Sequence, residues 1–89
     1  MNPVTESYNY KNLTASGLVL SGAGKLAGIF VASASSTPTI KIWDNTSAAA
    51  PVLVNTFSPS IGWNAIPASV QNGIYVTISG TVDCTVFFE

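Results

Sequence analysis

Gly73-Ile74-Tyr75-Val76-Thr77-Ile78-Ser79-Gly80-Thr81-Val82-Asp83-Cys84-Thr85-Val86-Phe87-Phe88-Glu89 reads as two β-strands about a Ser-Gly turn. Apolar and polar residues alternate on both sides of Gly80, and side chains two apart in a strand share a face. Ile74, Val76 and Ile78 are therefore expected inside, with Tyr75, Thr77 and Ser79 outside. In the second strand Val82, Cys84, Val86 and Phe88 form the inner row, and Asp83, Thr85 and Phe87 the outer one.

The same punctuation extends back to Leu13: short apolar segments separated by Gly, Pro, Asn and Ser, with no helical period. Strands are predicted at Leu13–Leu20, Lys25–Ser33, Thr39–Asp44, Val52–Phe57, Gly62–Ile66, Ile74–Ser79 and Val82–Phe88, and the short connections favour antiparallel pairing. Ile40 and Ile42 point inward, Lys41 and Trp43 outward. The expected fold is all-β: a small antiparallel β-sandwich, jelly-roll-like or Greek key, of about seven strands. Residues 1–12, polar apart from aromatics such as Tyr8 and Tyr10, read as an N-terminal arm, and 13–89 as a single domain. Gly28-Ile29-Phe30-Val31 leading to Thr39–Asp44 echoes Gly73–Val76 leading to Thr81–Glu89, as two similar hairpins facing each other across a sandwich would. Nothing functional rests on that echo.

Composition restricts what such a domain does. The 89 residues are 47% apolar and only 8% charged, with no His and no Arg, where an ordinary domain carries about 25% charged residues. A net charge of −1 from a few scattered ionic residues offers no basic patch for nucleic acid. A domain this short buries only about 60% of its unfolded surface, so association would add useful burial. The start, Met1-Asn2-Pro3-Val4-Thr5-Glu6, has no basic or apolar run of a secretory signal. Ala15–Ala34 has the length of a membrane span but carries Lys25 at its centre and several glycines, and two strands joined at Ser21-Gly22-Ala23-Gly24 describe it better. Asn12-Leu13-Thr14 and Asn45-Thr46-Ser47 match glycosylation sequons, which have no role without secretion.

Chemical motifs are incomplete. Gly22-Ala23-Gly24-Lys25-Leu26 ends like a phosphate-binding loop, but Val19 stands where the first Gly belongs and Leu26 where a hydroxyl must hold magnesium, so a β-hairpin turn is expected instead. Without His there is no Ser-His-Asp or Cys-His arrangement, and a lone Cys84 supports neither a zinc site nor an intrachain disulfide. Inside an alternating strand, Cys84 reads as a buried structural thiol. Asp44 and Asp83 are the only interior carboxylates; Asp44 sits in a turn and Asp83 on an outward strand position, which suits capping and solvation rather than paired acid-base work or calcium binding. No enzyme activity, cofactor or metal is expected.

The aromatics are the sharp site candidates. Trp43, Tyr75 and Phe87 point outward, Trp63 lies in Ser60-Ile61-Gly62-Trp63-Asn64, and Tyr8 and Tyr10 lie on the arm; all six are candidates for a protein interface, since aromatics are enriched and charges depleted at interface centres. The alternative is that the arm or a neighbouring loop covers the outward rings within one subunit.

Gly28–Val31, Thr39–Ala48 and Gly73–Val86 resemble small β-rich proteins found among the structural genes of tailed bacteriophages and prophages. The likeness covers most of Leu13–Glu89 and consists of strand and turn patterns. It implies a non-enzymatic virion component, foremost a capsid decoration or cement protein. Such a protein is assembled in the bacterial cytoplasm and bound to the outer surface of the phage head, on the major capsid protein lattice, commonly as a homotrimer. Neither nucleic acid nor membrane is an expected partner. The alternatives are a tail, neck or baseplate component, and a module whose outward Trp and Tyr stack on carbohydrate or another host-surface ligand.

Overall fold

The computed structural model describes residues 8–35 and 37–89. Its strands are β1 (Asn9–Leu13), β2 (Gly17–Ser21), β3 (Gly24–Ala34), β4 (Thr39–Trp43), β5 (Val52–Phe57), β6 (Gly62–Val70), β7 (Gly73–Ser79) and β8 (Val82–Phe88). They build two antiparallel four-stranded sheets packed as a sandwich. The front sheet has the order β1-β8-β3-β6 and the back sheet β2-β7-β4-β5. Only β4 and β5 are consecutive strands that pair; every other connection passes from one sheet to the other. This is the jelly-roll wind. The β3/β8 ladder reaches Ala34 opposite Val82, and the β4/β7 ladder resumes with Thr39 opposite Ser79, so one long folded hairpin rolls over the core.

The expected inner rows are inside. Ile40, Ile42, Ile74, Val76, Val82 and Val86 are fully buried, as are Ile29 and Val31, while Phe88 and Ile78 pack against this core from its margin. No polar or charged residue is buried among those described. Each full-sized apolar side chain removed from water contributes about 1.5–3 kcal/mol, and this interior supplies the fold's main driving force.

Several expected boundaries differ. Leu13–Leu20 is not one strand: β1 ends at Leu13, the chain bends, and β2 begins at Gly17 in the opposite sheet. The Ser16 hydroxyl accepts from the Ile78 amide at 2.8 Å and holds that corner. Residues 9–12, assigned to the arm, are strand: Tyr10 pairs with Phe87 and Asn12 with Thr85. Residues 1–7 of the arm lie outside the described residues. The strand expected to stop at Ile66 continues to Val70 because β6 is an edge strand, where a proline's missing N–H is tolerated. Pro67 falls opposite the register shift between Leu26 and Gly28.

Ser21–Gly24 does not close a hairpin. Val19 and Leu26 are both buried, and the link carries the chain between sheets, turning at Gly22 with φ 102°. The echoing segments are likewise not hairpins: β3 and β4 lie in different sheets, as do β7 and β8. They are neighbours in the roll, β3 beside β8 and β4 beside β7, rather than opposed across it.

Candidate functional site

With a core free of charge, the distinguishing chemistry lies on the two outer faces. On the back sheet the ladders align Leu18 with Tyr75, Tyr75 with Trp43 and Trp43 with Val52, an apolar row crossing all four strands. Trp43 is held from two sides. Its indole N–H donates to Thr77 Oγ1 at 2.9 Å, and Lys41 Nζ stands 4.3 Å from the ring centroid. Such a contact at a surface contributes about 0.5–1 kcal/mol, and together they fix the ring before any partner arrives.

The front sheet carries two adjacent rows. Tyr10, Phe87, Gly28 and Ala65 form one, and Asn12, Thr85, Phe30 and Trp63 the next. Gly28 leaves a gap that Trp63 covers. A Cβ placed there would sit 2.7 Å from Trp63 Cη2 and 2.5 Å from the Asn64 carbonyl oxygen. Lying across the gap, the indole meets Phe87 edge-on, with ring centroids 5.8 Å apart and planes at 64°. The Asn64 side chain braces the approach to β6, accepting from the Ser60 amide and donating to the Ser60 and Gly62 carbonyls. The result is a shallow groove of about 920 Å³ lined by Tyr8, Lys25, Phe30, Trp63, Pro67 and Phe87 among others. The aromatics of the front face remain open to solvent: Tyr10, beside the groove, is 71% exposed, and within it Trp63 is 52%, Phe30 45% and Tyr8 41% exposed. At roughly 200 Å² per ring system, these side chains present about 400 Å² of aromatic surface, within the range of the largest patch on a typical monomer.

The sheet edges are less inviting than the faces. Pro67 within β6 withholds an N–H from that edge, and Lys11 on β1 lies opposite the interior residue Val86 yet is itself exposed. Prolines and inward-directed charges on edge strands discourage strand addition. The pairings of β2 and β5, the back-sheet edges, are broken by register shifts. These features guard the edges against strand addition and leave the two faces as the open surfaces of the sandwich.

Asp44, Asp83 and Cys84 are tied into the fold by local contacts. Asp44 accepts from the amides of Asn72 at 2.8 Å, Gln71 at 3.1 Å and Gly73 at 3.3 Å, capping the β6–β7 turn. The Asn72 amide, helped by the other two and opposed by partial desolvation, holds the carboxyl below its ordinary range. Asp83 accepts from Asn12 Nδ2 at 2.9 Å. Because Asp44 follows β4 of the back sheet at the β6–β7 end and Asp83 is the second residue of β8 in the front sheet at the β7–β8 end, the carboxylates stand at opposite ends of the sandwich. Cys84 is buried, and its thiol is pushed up to about 11, first by burial and then by the neighbouring Asp83 charge. Among the described residues no group of three or more His, Cys, Asp or Glu is placed to hold a metal ion.

The six aromatics singled out from the sequence thus fall on two opposed surfaces, Trp43 and Tyr75 on the back and Tyr8, Tyr10, Trp63 and Phe87 on the front. Sequence reading left Phe30, Leu18, Val52 and the Gly28 gap unassigned. Phe30 lies between the buried Ile29 and Val31 and was readable from alternation alone, whereas the Gly28–Trp63 contact depends on the β3/β6 register. No protein-family profile matches the chain, and neither a curated protein nor a solved structure is detectably similar to it.

Proposed function

We propose that this chain is a non-enzymatic structural protein of a tailed-phage virion, a decoration or cement protein that seats its back sheet on the major capsid protein lattice at the outer surface of the head. The observation that carries the reading is the Leu18–Tyr75–Trp43–Val52 row, with its Trp ring held in place by Thr77 and Lys41. A flat apolar ridge with a rigid aromatic at its middle is the form of an interface anchor. Few charges surround it, so the contact loses little strength in salt. A sandwich with two apolar outer faces also suits bridging: one face grips the shell while the other remains free to engage a neighbour. The sequence resemblance supplies the identity of the shell.

The test is co-sedimentation of the purified protein with phage heads assembled without it. Saturable binding with a copy number comparable to the capsid protein is expected, and Trp43→Ala, checked for native circular dichroism, should weaken it by at least tenfold. Binding to tails alone, or to glycans with no binding to heads, would replace this reading with one of its alternatives.

A further inference from the structure

The front sheet has a property that the back sheet lacks: its outer face is complementary to itself. We infer that two copies of this chain pair front sheet to front sheet about a two-fold axis that runs parallel to the strands, between β8 and β3. This inference is independent of what the back sheet binds.

The argument follows from the ladder registers. In the order β1-β8-β3-β6 such an axis exchanges β8 with β3 and β1 with β6, and leaves each residue in its own row. Tyr10 then faces Ala65 of the second copy, and Phe30 faces Thr85. In the same way Phe87 faces Gly28 with the Trp63 ring laid across it. Tyr10 and Phe30 meet small side chains, as close packing requires, while at the axis the Trp63–Phe87 pairs of the two copies meet ring against ring.

Charge selects this axis over its rival. Lys25 and Glu89 exchange backbone hydrogen bonds at 2.9 and 2.8 Å, so they occupy neighbouring positions at one end of β3 and β8. Exchange of those strands sets each Lys25 against Glu89 of the other copy, twice per dimer. The two-fold that runs across the strands also alternates large with small, but it brings Glu89 over Asp83 of the second copy, carboxylate on carboxylate. The back-sheet row has no such alternation, since Tyr75 and Trp43 are both large and would collide with their images.

The area is sufficient. Four strands about 4.8 Å apart and roughly eight residues long at ~3.3 Å each give about 500 Å² per copy, and the pair reaches the ~1,000 Å² of a small specific interface. A weak, concentration-dependent dimer follows.

Sedimentation velocity on the full chain, without capsids, across micromolar to submillimolar concentrations is the experiment. A monomer–dimer equilibrium is expected. Lys25→Glu and Glu89→Lys should each raise the dimer Kd roughly tenfold, and the double variant Lys25→Glu/Glu89→Lys should restore it. Ala65→Trp, at an exposed edge-strand position, should abolish the dimer while leaving the melting temperature nearly unchanged. A strict monomer, a trimer, tighter association of Glu89→Lys, or a double variant that stays weak although folded would each overturn the inference.

Discussion

Gly28→Ala sets two physical effects of opposite sign against each other. Replacing a strand glycine by alanine restricts the unfolded chain and, where the site admits a methyl, stabilises by about 0.4–1 kcal/mol. Here the methyl would enter within 2.5 Å of the Asn64 carbonyl oxygen and 2.7 Å of the Trp63 ring. The ring is able to swing away; the backbone oxygen moves only if the β3/β6 ladder opens. Overpacking of this kind costs about 1–3 kcal/mol, so the net effect is a loss of about 1–2 kcal/mol from a total of roughly 4–13 kcal/mol for a domain of this length. The melting temperature should fall by about 5–15 °C. Thermal melts by circular dichroism measure the first consequence. Tryptophan emission in a Trp43→Phe background measures the second, a red shift as Trp63 leaves Phe87. A variant that melts at or above the parent temperature with unchanged Trp63 emission would refute the close packing at Gly28.

Asp44→Ala should destabilise by about 1 kcal/mol, because solvent-exposed turn amides lose a charged acceptor but regain water. Its native carboxyl is depressed, so its contribution is complete above the unfolded carboxylate range near pH ~4 and is lost as pH falls through the native value. Urea titrations at stepped pH should show an acid slope that is shallower in Asp44→Ala. Cys84, fully enclosed and with its thiol raised to about 11, should not react with a thiol reagent at neutral pH until the protein unfolds, and modification in step with urea unfolding is the readout. Ile42→Ala should cost about 2–5 kcal/mol, measured by the same urea titrations, because Ile42 is fully buried between Val54 and Val76 in the back-sheet ladders.

Alternation made the interior legible. Ile40, Ile42, Ile74, Val76, Val82, Cys84 and Val86 could be assigned from period two alone because every strand that carries them is wet on one side and dry on the other. Connectivity was not legible in the same way. Ser21-Gly22-Ala23-Gly24 signals a reversal, but a glycine turn looks the same whether the next strand lies beside the last one or across the core. The outcome depends on which apolar rows must meet, and that is settled by all eight strands together. Pro67 ended a strand on paper because the rule against proline applies to central strands, and nothing local marks β6 as an edge. Tyr10 shows the converse: Asn9–Leu13 is too polar to resemble a strand by itself, and it becomes one by pairing with β8. Trp43, Tyr75 and Phe87 were identifiable as outward residues and Trp63, Tyr8 and Tyr10 only by the segments that carry them, but the division of all six between opposite faces, and the glycine gap that gives the front face its relief, arise only from register.

Pairing of Asn9 with Phe88 also sets the order of events during synthesis. The front sheet has β8 between β1 and β3, so its two sides stay apart until Val82–Phe88 has left the ribosome, and β1 waits through the translation of nearly everything between. Closing so long a loop is slow. Until then, β1 has no partner strand and the apolar sides of β3 and β6 are only partly covered. Low charge, which suits the finished surface, gives that nascent intermediate little repulsion against its neighbours on a polysome. Expression at low temperature or slow induction should consequently raise soluble yield more than any change to the mature surface.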